Sequence, residues 1–186
     1  MPFTPFHMGP ALLVKSVAGR HFSILAFGFA QVAMDIEPLV GMLRDADMLH
    51  GPTHTYAGAV VIGAAVTFVA PVLSRPILRR WNNELALAGR GFLAEAETFR
   101  LPAVAIGAFA GTLSHVVLDS IMHADMHPLA PWTRGNALLS FISIPSLHAW
   151  CVGAGLLGVA IWTALQLRTL RAHRAATAAA VRPEGP

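Results

Sequence analysis

One segment of the sequence places three metal-ligating side chains four residues apart. It reads His115-Val-Val-Leu-Asp119-Ser-Ile-Met-His123. In a helix, residues spaced by four lie on the same face, one turn above another. Imidazole and carboxylate groups are common ligands of Zn²⁺, Mn²⁺ and Fe²⁺. The spacing therefore predicts a metal-binding or proton-transferring face on one helix.

Two carboxylates interrupt an apolar stretch much earlier in the chain. Asp35 and Glu37 follow a run of uncharged residues, and Pro38 comes next. The residue before a proline favours extended backbone. We therefore expect this helix to end or loosen beside its two carboxylates, with Asp35 as a metal ligand.

A further pair of histidines has the same spacing in another context. The segment His50-Gly-Pro-Thr-His54 contains two turn-forming residues, so it predicts a turn rather than a helix. An apolar stretch begins at Tyr56, and either Thr53 or Thr55 is expected to cap the helix there.

The composition restricts the classes of protein to which the chain can belong. Of its 186 residues, 55% are hydrophobic and only 12% are charged, whereas a soluble domain carries about 25% charged residues. These values exclude an ordinary soluble enzyme and a disordered chain. The single cysteine, Cys151, excludes an intrachain disulfide and a cysteine-rich zinc module. A metal must therefore be held by histidines and carboxylates.

The apolar stretches predict an all-α integral membrane protein with about four transmembrane helices. The expected spans are residues 22–34 with an extension to 40, 56–73, 101 onwards, and 149–167. Residues 9–18 are too short to cross and predict a half-span or re-entrant helix, and residues 82–99 predict an interfacial amphipathic segment. We expect one helical membrane domain over 1–173 and a flexible tail over 174–186.

The distribution of basic residues predicts the orientation of these helices. If the arginine-rich helix ends face the cytoplasm, 11 of the 13 Lys and Arg residues lie inside, and only Arg44 and Arg134 lie outside. The first seven residues contain no Lys or Arg, so we expect no cleavable signal peptide. These features predict a bacterial inner-membrane protein with a cytoplasmic C-terminus.

In this orientation, the polar residues of four segments reach the same depth. At ~1.5 Å per helical residue, Asp35 and His115 lie ~22 Å above the basic end, and His54 lies ~30 Å above it. Seven of the nine histidines fall in this outer third: His7, His50, His54, His115, His123, His127 and His148. Charged groups at membrane depth are costly unless they face a cavity or one another. The sequence therefore predicts one cluster near the outer side.

The motifs of this cluster resemble those of the bacterial inner-membrane metal-dependent hydrolase family, some of whose members carry a LexA-binding label. The resemblance covers roughly residues 1–132 and, by topology, the last helix. The motifs that carry it are His7, Asp35-Ile-Glu37, His50-Gly-Pro-Thr-His54 and His115-x-x-x-Asp119 followed by His123.

That family is distantly similar to the zinc phospholipase C and P1 nuclease group. The resemblance implies metal ligands in the order His7, Asp35, His50 or His54, His115, Asp119, and His123 or His127. The group's last motif, His-x-x-x-Glu, is absent because Val152 stands four residues after His148. The resemblance therefore implies one or two ions rather than three, with Asp35 or Asp119 as the bridging carboxylate. Zinc is the first expectation, and manganese and iron are alternatives.

The chemistry expected of such a site is metal-assisted hydrolysis of a phosphoester on a lipid or other envelope substrate. Glu37 and Asp125 are the candidates for a general base or for a group that orients a ligand. Arg44, Arg134 and His127 are the candidates for contact with the substrate phosphate.

Two other classes of function fit the same residues. The first is a transporter or sensor of metal ions or protons, and the second is a non-catalytic membrane protein with a structural metal. Nucleic-acid binding is not expected, because the arginines are scattered without interleaved aromatic residues.

Overall fold

The computed structural model describes residues 5–180, and these residues form five α-helices without any strand. The helices are α1 (Met8–Ala18), α2 (Ile24–Leu43), α3 (Tyr56–Leu87), α4 (Leu101–Met122) and α5 (Ile144–Ala180). The helices α2 to α5 each contain a stretch that is long and apolar enough to cross a membrane. The predicted all-α membrane fold with four membrane-crossing helices is confirmed.

The helices α2, α3 and α4 pack closely because the side chains between them are small. Their common core consists of Ala26, Ala30, Val66, Ala70, Val104 and Ala108. On α4, a Cβ at Gly107 would overlap the carbonyl oxygen of Ser23, which precedes α2. Small residues allow helix backbones in a membrane to approach in this way. The close contact fixes the relative positions of the side chains that α2 and α4 carry at their far ends.

The short helix α1 packs along α5, again through glycines. A Cβ at Gly9 would overlap the carbonyl oxygen of Cys151, and a Cβ at Gly158 would meet the backbone of Leu12. With 11 residues, α1 covers ~16 Å, about half of the ~30 Å hydrocarbon core. The length matches the half-span expected for residues 9–18.

The helix α2 differs from the sequence expectation at its C-terminal end. It continues through Asp35 and Glu37 to Leu43, with Pro38 inside it, so the expectation that the helix ends at these carboxylates is wrong. Pro38 is buried, and its ring removes only one backbone N–H from the helix. The helix therefore continues beyond Pro38 to Leu43.

The helix α3 is also longer than expected, and it includes the first part of the segment 82–99. It ends at Leu87 rather than Leu73, so the first part of the expected interfacial segment belongs to α3. The chain then folds back on this helix. The Asn82 side chain donates to the Glu95 carbonyl at 2.8 Å and accepts from its N–H at 3.0 Å. These contacts hold the loop before α4 against the end of α3.

The last helix, α5, includes residues 174–180 of the expected tail. Residues 181–186 of that tail lie outside the described residues.

Candidate metal centre

Polar side chains from four parts of the chain meet at one end of the bundle. They come from the turn before α1, the second half of α2, the loop before α3, and the end of α4. The structure brings together all seven residues for which the sequence predicts metal ligation: His7, Asp35, His50, His54, His115, Asp119 and His123.

Asp119 lies at the middle of this set. One carboxylate oxygen, Oδ2, is 3.1 Å from Nε2 of His115, 3.6 Å from Nε2 of His54 and 3.9 Å from Nε2 of His50. The other oxygen, Oδ1, is 3.6 Å from Nε2 of His7. Two ligand atoms that bind one tetrahedral Zn²⁺ at 2.0–2.1 Å lie roughly 3.3 Å apart. The spacing of these atoms therefore matches that of atoms sharing an ion.

Several of these nitrogens are buried without a hydrogen-bond partner. The Nε2 atoms of His7, His54 and His115 are buried and have no hydrogen-bond partner. Leaving a buried polar atom unpaired costs about 1–3 kcal/mol, so such atoms are rare in native proteins. Three of them close to one buried carboxylate indicate a site that a cation would complete.

The orientation of His115 is fixed by a residue of α2. Gln31 donates from Nε2 to the Gly111 carbonyl at 2.9 Å, which leaves its Oε1 as the acceptor for Nδ1–H of His115 at 2.6 Å. The proton of a neutral His115 ring is thereby held on Nδ1. Its lone pair then lies on Nε2, which faces Asp119 and lies 3.5 Å from Asp35 Oδ1.

The loop histidines are oriented in the same way by carboxylates. His50 donates from Nδ1 to Asp125 Oδ1 at 2.9 Å. The Nδ1–H of His54 donates to the Thr53 hydroxyl at 3.0 Å, and that hydroxyl in turn donates to Glu37. Outer partners of this kind, bound to the nitrogen that does not bind the metal, are characteristic of metal-ligating histidines.

The position of this loop follows from local sequence. Thr55 has extended backbone and its hydroxyl accepts from the Gly58 N–H at 3.0 Å, so Thr55, rather than Thr53, caps α3. The Tyr56 N–H donates to the Pro128 carbonyl at 2.9 Å. The cap and this bond hold the His50–His54 segment beside the chain that leaves α4.

Burial favours the neutral form of His54 in the loop before α3 and of His7 in the turn before α1. Burial lowers the pKa of His54 to about 3, and burial lowers the pKa of His7 to about 4 against the opposing attraction of Asp119. A histidine must be unprotonated to bind a metal. Both residues therefore present the ligating form without having to lose a proton.

The ligand atoms form two groups. The buried group consists of Asp35, His54, His115 and Asp119, whose ligand atoms all lie within 4.8 Å of one another. The rim group consists of His50, His123 and Asp125, which meet the same limit and are more exposed. The two groups are adjacent, because Asp119 Oδ2 lies 3.9 Å from Nε2 of His50. This arrangement can hold one ion in the buried group and a second at the rim.

His123 reaches the rim group by leaving the helix. The last residue of α4 is Met122, and His123 has extended backbone with φ −117° and ψ 124°. Its ring stacks on that of His50 with the centroids 4.3 Å apart. The prediction of a single helical face is therefore correct for His115 and Asp119 but wrong for His123, because the helix ends one residue earlier.

The other predicted site residues have different environments. Glu37 and Asp125 lie beside the cluster, where Asp125 is the outer partner of His50 and Glu37 accepts from Thr53, the outer partner of His54. Arg44 is exposed at the C-terminal end of α2, and Arg134 is exposed in the loop after α4. His127 donates from Nδ1 to the Arg134 carbonyl at 2.8 Å. The assignment of these last three residues to substrate binding stays a prediction.

The sequence did not predict two residues that orient histidines of the centre. Gln31 is bonded to His115, and Thr53 is bonded to His54. A signal for Gln31 existed. It is a polar residue in an apolar run and lies four positions before Asp35, on the same face of the helix.

Replacing Gln31 by methionine is expected to lower the affinity for metal by about 10- to 100-fold, the usual loss when an outer partner of a ligating histidine is removed. The side chain keeps its length, but Nδ1 of His115 loses its acceptor. The measurement is competition for metal with a chromophoric chelator. Thr67→Val is the control, since it removes a buried hydroxyl that is bonded only within α3. Equal affinities in the wild type and Gln31→Met would contradict the proposed role.

Comparison of the chain with models of protein families, with curated proteins and with solved structures finds no significant match. The assignment of a function therefore rests on the geometry of the cluster.

Proposed function

We propose that this membrane protein is a metal-dependent hydrolase that cleaves a phosphoester on a lipid or another envelope substrate. The observation that supports the proposal most strongly is the convergence of the Nε2 atoms of His50, His54 and His115 on Asp119 Oδ2. The Nδ1 atom of each of these three rings is bonded to an outer partner. Such preorganisation holds a metal in a defined geometry, and a bound divalent metal lowers the pKa of water and offsets charge on phosphoryl oxygens.

The protein residues have separate roles in this proposal. The buried group would hold a first ion, and the rim group, which is more accessible, would hold a second. Glu37 orients His54 through Thr53, Asp125 orients His50, and both carboxylates are partly exposed, so either can accept a proton. Arg44 and Arg134 supply positive charge near this end of the bundle. Zinc suits the mixture of imidazole and carboxylate ligands.

The buried core argues for a site with one opening rather than a pathway through the membrane. The helices α2, α3 and α4 are joined beyond the cluster by alanine and valine side chains. Polar residues near mid-membrane are already bonded. Gln31 is bonded to His115 and Gly111, whereas the hydroxyls of Thr67, Thr112 and Ser114 donate to carbonyls of their own helices. A transporter of ions needs polar groups that continue across the membrane.

The orientation is part of the same proposal. The basic helix ends lie in the cytoplasm, the cluster faces the outer side of the inner membrane, and the C-terminus is cytoplasmic. A reporter enzyme that functions only in the cytoplasm is expected to be active when it is fused to the C-terminus. Activity of a reporter that functions only in the periplasm would contradict the predicted orientation.

Hydrolysis is expected from the purified full-length protein in detergent after it has been loaded with zinc or manganese. The probe is bis(p-nitrophenyl) phosphate, with release of nitrophenolate followed by absorbance. We expect His115→Ala to lower the rate by at least about 100-fold, because the loss of the ligand disorders the metal on which the reaction depends.

His21→Ala is the matched control, since His21 is an exposed histidine near the start of α2. Stoichiometric metal without hydrolysis of either phosphodiesters or phosphomonoesters would favour a structural metal. Equal rates in the wild type and His115→Ala would exclude the cluster as the site of reaction.

A further inference from the structure

The end of the bundle opposite to the metal cluster contains a cavity of about 550 Å³. It lies among the C-terminal end of α1, the starts of α2 and α4, the later turns of α3, and the loop before α4. Its volume is within the range of ~300–1,000 Å³ that is typical of ligand pockets. Arg100, at its edge, is 19 residues before Asp119, or ~28 Å along a helix. The cavity is therefore separate from the metal centre.

The walls of this cavity are mostly apolar, and its edge is basic. The apolar wall includes Leu25, Ile77, Leu78 and Phe99, and Trp81 and Trp162 are half-exposed beside it. Tryptophan side chains are favoured at the level of lipid headgroups. The walls thus resemble a surface that covers an acyl chain and ends at the membrane interface.

The charges around the cavity favour an anion. Lys15, Arg20 and Arg100 line it, and the carboxylate of Glu95 is the one acidic group among its lining residues. The Lys15 ammonium donates to the carbonyls of Gly19 at 3.1 Å and Phe22 at 3.3 Å. These bonds hold its charge at the turn between α1 and α2.

Two helix termini add to this positive potential. Ser23 and Arg100, the residues before α2 and α4, both line the cavity. The N-terminal end of a helix carries a partial positive charge and unpaired N–H groups. The Ser23 hydroxyl accepts the Ala26 N–H at 3.2 Å and so caps α2, whereas Arg100 gives α4 no side-chain cap.

We propose that this cavity binds an anionic phospholipid, with the phosphate near Lys15, Arg20 and Arg100 and an acyl chain along the apolar wall. The occupant is a lipid rather than a soluble anion because most of the lining is apolar and the two tryptophans border the bilayer. By the predicted orientation the site faces the cytoplasmic leaflet, whose anionic lipids attract basic segments. The proposal does not depend on the function proposed for the metal cluster.

The test uses fluorescence of the full-length protein in mixed micelles, because two of its four tryptophans line the cavity. Brominated phosphatidylglycerol is titrated as the quencher, and brominated phosphatidylcholine is the comparison. We expect saturable quenching that requires about tenfold less phosphatidylglycerol than phosphatidylcholine. The double variant Arg20→Gln, Arg100→Gln is expected to lose that preference, since each basic group near a membrane surface contributes about fivefold to the binding of anionic lipid.

The double variant Arg168→Gln, Arg171→Gln is the matched control, because it removes the same charge from exposed positions of α5 that do not line the cavity. Ala96→Phe leaves the charge unchanged but fills part of the cavity, and it is expected to weaken quenching by both lipids. Helix content and a single size-exclusion peak verify the folding of each variant.

Equal quenching by the two lipids, or an equal loss in the control, would overturn the proposal. It would also be overturned if inorganic phosphate displaced phosphatidylglycerol, because the site would then recognise the free anion.

Discussion

Replacing Asp119 by asparagine is expected to leave the purified protein without stoichiometric metal. The carboxylate is the group that the histidines of the cluster share, and each of its oxygens faces at least one Nε2 atom. Asparagine keeps the shape but removes the negative charge that offsets the cation. We expect the affinity to fall at least about 100-fold, beyond the loss caused by removal of an outer partner.

Two measurements check this result. Elemental analysis gives the metal content, and thermal unfolding gives the stabilisation by added metal. At a metal concentration 100-fold above the wild-type Kd, the wild type should gain about 2.7 kcal/mol, and the variant should gain about 0.4 kcal/mol or less. Asp47→Asn is the control, because Asp47 is exposed in the loop after α2 and belongs to neither ligand group. An unchanged metal content in Asp119→Asn would contradict the assignment of Asp119 as a ligand.

The second prediction concerns the contact between α1 and α5. Replacing Gly9 by alanine is expected to destabilise the protein by about 1–3 kcal/mol, the usual cost of overpacking, because the new Cβ would overlap the Cys151 carbonyl oxygen. The helix α1 must then move away from α5. His7 lies two residues before Gly9, with its Nε2 3.6 Å from Asp119, so the affinity for metal should fall as well.

Gly153→Ala in α5 is a control that is expected not to lower the stability of the protein. No atom lies within 4 Å of a Cβ at this position. Alanine is favoured over glycine in a helix by up to ~1 kcal/mol, so this variant should be as stable as the wild type or slightly more stable. Thermal unfolding and metal competition distinguish the two variants. Equal shifts in both would show that the close contact at Gly9 does not determine the position of α1.

The sequence was sufficient to predict the four long apolar helices and to place Asp35 and His115 at one level of the bundle. Distance along a helix is proportional to the number of residues, so Asp35 and His115 could be placed at one level before any contact was known. Their actual separation, 3.5 Å between Asp35 Oδ1 and His115 Nε2, confirms that α2 and α4 bring them to the same level.

Contacts between particular side chains could not be predicted in the same way. The bond between Gln31 and His115 depends on which faces of α2 and α4 meet, and that choice is made by glycines such as Gly107 and Gly111. The continuation of α2 past Pro38 depends on tertiary packing, which outweighs the local preference. The cavity at the opposite end was missed because it needs the loop before α4 to fold back on α3.

The metal ligands are widely separated along the chain, and this separation determines when the site can form during synthesis. His7 belongs to the first turn of the described chain, whereas His115 and Asp119 belong to α4. A ribosome that has delivered only the first two long helices has supplied His7, Asp35, His50 and His54, but not the carboxylate on which they converge. Binding of an ion by the whole cluster would therefore have to follow insertion of α4. In a chain whose only cysteine rules out an internal disulfide, a bound metal would then be the cross-link that joins the segment before α1 to α4.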